Sequence, residues 1–312
     1  MAESWQIDGP RVLDIGGEDE RVRSLVVGLV GGHVDIVTHV DSPTARVEVS
    51  EVEGLPLQVS WDGRTLKVMH GKESDQSMLD ALKRLFENFG RNRATVSVSI
   101  PSDAKVSVNT VGASAVINGL RRGVTTNTVS GSLTLSDIEG KVSINTVSGN
   151  TECVDLRGDT RLISVSGEIT VQSSSIPTAT LNTVSGDIAL DLTNAAAQLS
   201  SNSVSGDITV RAPFTGYAVT ANTASGQVVI DGRSLGRATG KKTSGANGTL
   251  RSGDESLQLK ANAVSGDVTL LRATAAPGTG PQDAPAPAYP PNPEPGPQDA
   301  PPQQWSEEGP QS

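Results

Sequence analysis

The sequence predicts an all-β protein whose main body is a single-stranded parallel β-solenoid (β-helix) of about nine coils, each of about 19 residues. Three observations predict it. A Val-Ser-Gly-Asp tetrad and its variants recur with aligned glycines at 112, 131, 149, 167, 186, 206, 226, 245 and 266, in steps of 18 to 21 residues. A unit that short cannot bury its own apolar face, so it must stack on copies of itself. The apolar parity also flips within a unit: Leu257, Leu259 and Ala261 share one strand face, whereas Val264, Val268 and Leu270 fall on the other. A straight strand cannot keep both sets inside, so the chain must bend between them. Finally, the 312 residues hold 33 glycines but only three Phe, three Trp and two Tyr. That supply suits short strands, tight turns and a core of Val, Leu, Ile and Ala.

Residues 1–75 are expected to form an irregular β-rich portion, either a small domain or degenerate coils of the same stack. Its strands run from Arg23 to Val30, Val34 to Val40, Arg46 to Val52, Leu57 to Trp61 and Leu66 to His70. Gly31-Gly32, Asp41-Ser42-Pro43 and Asp62-Gly63 read as the turns between them. Residues 76–93 change character. Leu79, Leu82, Leu85, Phe86 and Phe89 recur at helical spacing behind Ser77-x-x-Asp80, which has the form of a capping box, and Gly90 ends the run. This amphipathic helix is expected to cap the open end of the solenoid, because stacked repeats expose an unpaired edge. The other reading, an anionic membrane surface held by Lys83, Arg84, Arg91 and Arg93, ranks second.

The repeats fill 94–272. They read NTVSGS at Asn127, Ser130 and Gly131, NTVSGN at Asn145, Ser148 and Gly149, and ISVSGE at Ser166 and Gly167. NTVSGD follows at Asn182, Ser185 and Gly186, NSVSGD at Asn202, Ser205 and Gly206, and NTASGQ at Asn222, Ser225 and Gly226. A divergent KTSGA surrounds Ser244, and NAVSGD closes the series at Asn262, Ser265 and Gly266. The asparagine sits where the parity flips, tolerates a left-handed backbone and can bond to its own kind in the next coil, so it is the expected corner. That places the motif valine inside and Thr128, Ser130, Thr146, Ser148, Thr183 and Ser185 on the wet face. Residues 273–312 carry 12 of the 18 prolines and five carboxylates with no Lys or Arg, and read as a disordered acidic tail.

Recurrent Asn-Thr-Val-Ser-Gly-Asp units behind an irregular β-rich portion resemble a bacterial family of unknown function that carries an adhesin label, over roughly residues 20–272. The Pro-rich tail resembles extensions common in high-GC actinobacteria. The resemblance implies a β-helical fold, no established catalytic residues and, in some members, a link to envelope stress.

The residues themselves offer little catalytic chemistry. His33, Asp35, His39 and Asp41 share parity on one strand, but zinc sites gather ligands from more than one element, so a solvated face with Val34, Ile36 and Val40 behind it is preferred. Asp187, Asp207 and Asp267 recur after the glycine; Ser132, Asn150, Glu168 and Gln227 occupy the same column, which argues for solvated carboxylates over a calcium ladder. Serine without a nearby histidine has no base to activate it, and Cys153 reads as packed. Ordinary β-propensity accounts for the Ser/Thr columns, so an ice-binding face is disfavoured. The net charge of −10, half of it in the tail, argues against nucleic acid. The start has no basic-then-apolar leader and the longest apolar run is short, so a cytoplasmic location is expected, with peripheral membrane contact as the variant. No enzyme activity, cofactor or metal is expected. The leading reading is a non-enzymatic scaffold or adhesin-like interaction protein tied to the cell envelope or its stress response. Its partner would be a protein or glycan, and end-to-end homo-oligomers are conceivable. A carbohydrate-active β-helix enzyme and a peripheral membrane protein are the alternatives.

Overall fold

The computed structural model describes residues 3–17, 20–71, 92–213, 216–235 and 246–273, which all fall within one unit, Met1–Ala276. Every regular element among them is a strand. The expected helix and the acidic tail beyond Ala273 lie outside the described residues, except that Arg93 belongs to a strand.

The N-terminal part supplies β1 (Glu3–Ile7), β2 (Arg11–Ile15), β3 (Ser24–His39), β4 (Ala45–Glu53), β5 (Leu57–Trp61), β6 (Thr65–His70) and β7 (Arg93–Pro101). The repeats open on the long β8 (Lys105–Asn118) and continue as strand couples. These are β9 (Val124–Thr128) then β10 (Leu133–Glu139), β11 (Val142–Thr146) then β12 (Thr151–Arg157), and β13 (Thr160–Ser166) then β14 (Ile169–Ser174). Next come β15 (Thr178–Ser185) then β16 (Ile188–Leu192), and β17 (Ala197–Ser205) then β18 (Ile208–Pro213). The chain ends in β19 (Tyr217–Ser225), β20 (Val228–Ile230), β21 (Arg233–Leu235), β22 (Ala246–Ser252), β23 (Leu257–Ser265) and β24 (Val268–Ala273).

The first strand of each couple joins one parallel sheet in the order β8, β9, β11, β13, β15, β17. The second joins another, β8, β10, β12, β14, β16, β18. Leu162, Leu181, Leu199 and Leu259 of the first sheet and Val171, Leu190, Val210 and Leu270 of the second belong to one buried cluster. This is the solenoid-like, all-β architecture that the period implied. At the N-terminal side β3 lies parallel to β6, β7 and β8, while β4, β5, β1 and β2 add antiparallel pairs. Gly31 and Gly32 are not a turn but sit inside β3, where its pairing passes from β6, which ends at Gly28, to β7, which begins at Gly32. At Gly32 φ is +105°, and a β-carbon there would collide with the Ala94 backbone, so the kink demands glycine. Val40 is exposed, because β3 has ended at His39.

The corner falls later than the asparagine. Leu181 and Thr183 are buried, Val184 is exposed, and burial resumes at Ile188, so the inward parity changes across Ser185 and Gly186. The glycine carries the positive φ, +131° at Gly186, and no asparagine among the described residues does. Threonine and serine can point inward because they satisfy the corner's own backbone: Thr146 Oγ1 donates to Ser148 O (3.3 Å) and Ser164 Oγ to Ser166 O (3.1 Å). Thr128 and Thr146 are therefore core residues, Thr183 is buried in the same column without such a bond, and the valines at 147, 165, 184, 204 and 264 are the ones left outside.

Stacking follows chain order as far as β18 and then departs from it. β23 lies between β17 and β19, and β24 between β18 and β20, so the last couple in sequence fills a slot between the two before it. β22 and β21 run antiparallel along the other sides of β19 and β20 and cover those edges. Cysteine pairing tests this order. Ser200 and Lys260 are direct partners across β17 and β23, while Thr220 lies one strand further. Parallel neighbours stand about 4.8 Å apart, inside disulfide reach, and second neighbours about 9.6 Å, outside it. Ser200→Cys with Lys260→Cys is expected to cross-link on mild oxidation, and Ser200→Cys with Thr220→Cys is not. Cross-linking of the second pair alone would restore sequential stacking.

Candidate functional site

The outer face of the first sheet is built by the residues that alternate with its buried ones. Its first row is an asparagine ladder. Asn127 Nδ2 donates to Asn109 Oδ1 and Asn145 Nδ2 to Asn127 Oδ1, both at 2.9 Å. Ile163 then takes the place in register, and the ladder resumes from Asn202 to Asn182 (2.8 Å), Asn262 to Asn202 (2.9 Å) and Asn222 to Asn262 (3.0 Å). The bonds thus follow spatial order, with Asn262 between Asn202 and Asn222. Asn127, Asn202 and Asn262 each use one donor and one acceptor along the stack and keep their remaining capacity for the face.

Beside the ladder run two more rows, Thr180, Ser200, Lys260 and Thr220, then Thr178, Gln198, Gln258 and Ala218. Arg251 on β22 and Glu255 in the turn before β23 rise alongside, 3.5 Å apart, and turn this stretch into a groove of about 460 Å³. The groove offers hydroxyls, amides, an ammonium and a guanidinium, with Glu255 as its one carboxylate. A glycosidase needs two carboxyl groups flanking the bond it cleaves. The arrangement is suited to recognising a polar ligand.

The motif positions have distinct places. Ser148, Ser166, Ser185, Ser205, Ser225 and Ser265 are exposed at the corner, and Ser130 is half-buried. Gly131, Gly149, Gly167, Gly186, Gly206, Gly266 and Gly226 stack in that spatial order. The acidic column has a structural task. Asp187 Oδ1 accepts from Asp207 N, Asp207 Oδ1 from Asp267 N, and Asp267 Oδ1 from Gln227 N, each at 2.8 Å. Asn150 does the same for Glu168 N at 3.2 Å, so the column asks for a short acceptor.

His33 and Asp35 lie half-buried on β3, and no three His, Cys, Asp or Glu side chains gather as a ligand set among the described residues. Cys153 is fully buried, and burial, helped by Glu152, pushes its thiol up to about 12, which keeps it protonated. The groove residues Gln198, Ser200, Gln258, Lys260, Arg251 and Glu255 were not singled out by the motif. They lie in the variable stretches of the repeats, and only the insertion of β23 brings them together.

A family model described as Toastrack DUF4097 matches residues 34–271. No curated protein sequence matches. Among solved structures, the chain is similar to a proposed adhesin from Parabacteroides distasonis ATCC 8503, at 15% identity and TM-score 0.44, covering 85% of this chain and 98% of that one. A proposed adhesin from Bacteroides fragilis NCTC 9343 shows 12% identity and TM-score 0.38 over 84% of this chain and 97% of that one. A proposed lipid-binding protein from Parabacteroides distasonis ATCC 8503 shows 13% identity and TM-score 0.38 over 85% and 97%.

Proposed function

The chain belongs to the Toastrack DUF4097 family, and on that premise we propose that it is a non-enzymatic, adhesin-like interaction protein of the cell envelope that holds a glycan in the groove across β15, β17, β23 and β19. The observation that carries this reading is the three-row polar array, in which hydroxyls, amides and a lysine repeat at strand spacing. A glycan presents closely spaced hydroxyls, each able to donate and accept. Thr, Ser, Asn and Gln side chains meet both needs without a fixed charge. An array repeated about every 4.8 Å also suits a polymer better than a single small molecule.

The test is co-sedimentation of the full chain with purified cell-wall material. Binding is expected, and filling the groove with Ser200→Trp and Gln258→Trp is expected to weaken it at least about tenfold, a loss of about 1.4 kcal/mol. Both positions point away from the core, so circular dichroism should be unchanged. Wall binding that survives the filled groove, or binding to anionic vesicles alone, would overturn the reading; the second outcome would favour the membrane role of 77–93.

A further inference from the structure

We propose that the groove is one stretch of a longer basic track, and that the polymer it takes is a linear polyanionic glycan whose carboxylates or phosphates lie over that track. This rests on the glycan reading above and narrows it to a chemical class. Lys105, Lys141, Arg161, Lys260 and Arg251 are all exposed. Arg161, Lys260 and Arg251 occupy outward positions on β13, β23 and β22, while Lys105 opens β8 and Lys141 immediately precedes β11. Carboxylates border the track at Asp103, Asp159, Asp254 and Glu255; Asp103 is engaged by Arg21, Asp254 by Ser256 N and Glu255 by Arg251. Among the described residues, no carboxylate lies within ion-pair distance of Lys105, Lys141, Arg161 or Lys260.

The placement runs against the charge of the molecule, which is −10 overall. Acidic side chains collect elsewhere: Asp187, Asp207 and Asp267 along the corner, Glu48 on β4, and Glu152 and Asp191 on outward positions of the second sheet. Cations on the second sheet, Arg157 and Arg211, stand beside Asp137, Glu139, Asp155 and Asp191, so the cations without an ion pair on the first face form a potential that steers an anionic chain to it. From β8 to β22 the track crosses eight strand steps, about 38 Å, with successive cations about 5 to 14 Å apart. Cations strung over that length fit an extended polymer with recurring charge. Single-stranded nucleic acid is disfavoured because the outward rows hold no aromatic side chain for base stacking. A lipid surface is disfavoured because the apolar side chains that reach this face, Ile163 and the valines at 147, 165, 184, 204 and 264, include no Trp, Phe or Leu of the kind that inserts into a bilayer.

The probe is sodium polygalacturonate, with dextran as its uncharged counterpart, and oligothymidylate and anionic phospholipid vesicles as the other polyanions. The full chain is expected to bind polygalacturonate in preference to all three. Raising salt from about 50 to about 200 mM should weaken that binding at least about tenfold. Arg161→Glu with Lys260→Glu should weaken it by a similar factor while circular dichroism stays unchanged, and should weaken wall binding in parallel. Wall binding with no preference for polygalacturonate over dextran, or binding indifferent to the charge reversals, overturns the polyanion class and leaves the groove reading standing. Tighter binding to oligothymidylate or vesicles also overturns it. Absence of wall binding in the unaltered protein removes the groove reading itself.

Discussion

Gly206→Ala is expected to destabilise the solenoid by about 4 kcal/mol, one of the largest effects a single methyl group can have. Two costs add. At φ +135° an L side chain is strained, for about 1 to 3 kcal/mol. The new β-carbon would also overlap the carbonyl oxygen of Gly186, the same corner position in the neighbouring coil, and come within 3.2 Å of Asp187 Oδ1. That oxygen cannot move freely, because the corner backbone is tied coil to coil: Gly186 N donates to Ser205 O, and Gly206 N to Ser265 O at 3.1 Å. Relief therefore requires breaking inter-coil bonds, each worth about 1 kcal/mol. Gly232→Ala separates the two costs. Gly232 has φ +74° but nothing within 4 Å of a β-carbon, so its loss should be limited to about 1 kcal/mol. Urea unfolding of the three proteins checks the ranking. Equal losses for both variants would mean that backbone conformation alone, and not stacking, selects the glycine column.

The glycine column was legible because a steric demand leaves a residue type behind. The asparagine ladder was legible for the same reason, since an amide that pairs with its own kind must recur. The corner was harder to place. Thr146 reads as polar and as facing water, yet it is buried, because its hydroxyl donates to the Ser148 backbone oxygen two residues on; Thr183 is buried in the same column without such a bond. Moving that one column inside moves the valine outside and shifts the bend from Asn182 to Ser185 and Gly186. The slot taken by β23 left no trace in composition. Asn262, Ser265 and Gly266 match any coil in register, so the motif fits equally beside β17, beside β19 or between them. What selects the inner slot is the antiparallel closure of β19 and β20 by β22 and β21, which leaves those edges paired. The groove depends on that choice: without β23 in place, Lys260 and Gln258 would not stand between Ser200 and Thr220 and between Gln198 and Ala218.

Acid is expected to weaken the fold through one side chain, His70. It is buried at the end of β6, and Val30 N donates to its Nδ1 at 3.2 Å. Val30 immediately precedes the kink in β3, where the chain leaves the β6-paired half of the strand and Gly28 is its last partner there. The imidazole supplies the acceptor at that break, which assigns its proton to Nε2. Burial lowers the pKa to about 4, with a backbone contact to Arg93 opposing the shift in part. A base whose pKa is lower folded than unfolded binds protons more readily in the unfolded chain. The stability this group contributes is then intact above the unfolded value of about 6.5, falls as the pH drops below it, and is fully lost below about 4. The separation corresponds to about 3 kcal/mol. Protonation also removes the Nδ1 lone pair, so the Val30 N–H loses its partner in the same step. His70→Gln keeps an acceptor and cannot titrate. Its stability at pH 7 should fall by about 1 kcal/mol from imperfect geometry, yet its loss between pH 7 and pH 4 should be about 3 kcal/mol smaller than that of the unaltered protein. Carboxylates titrate in both proteins and cancel in the comparison, so an unchanged pH dependence would rule His70 out as the acid-sensitive element.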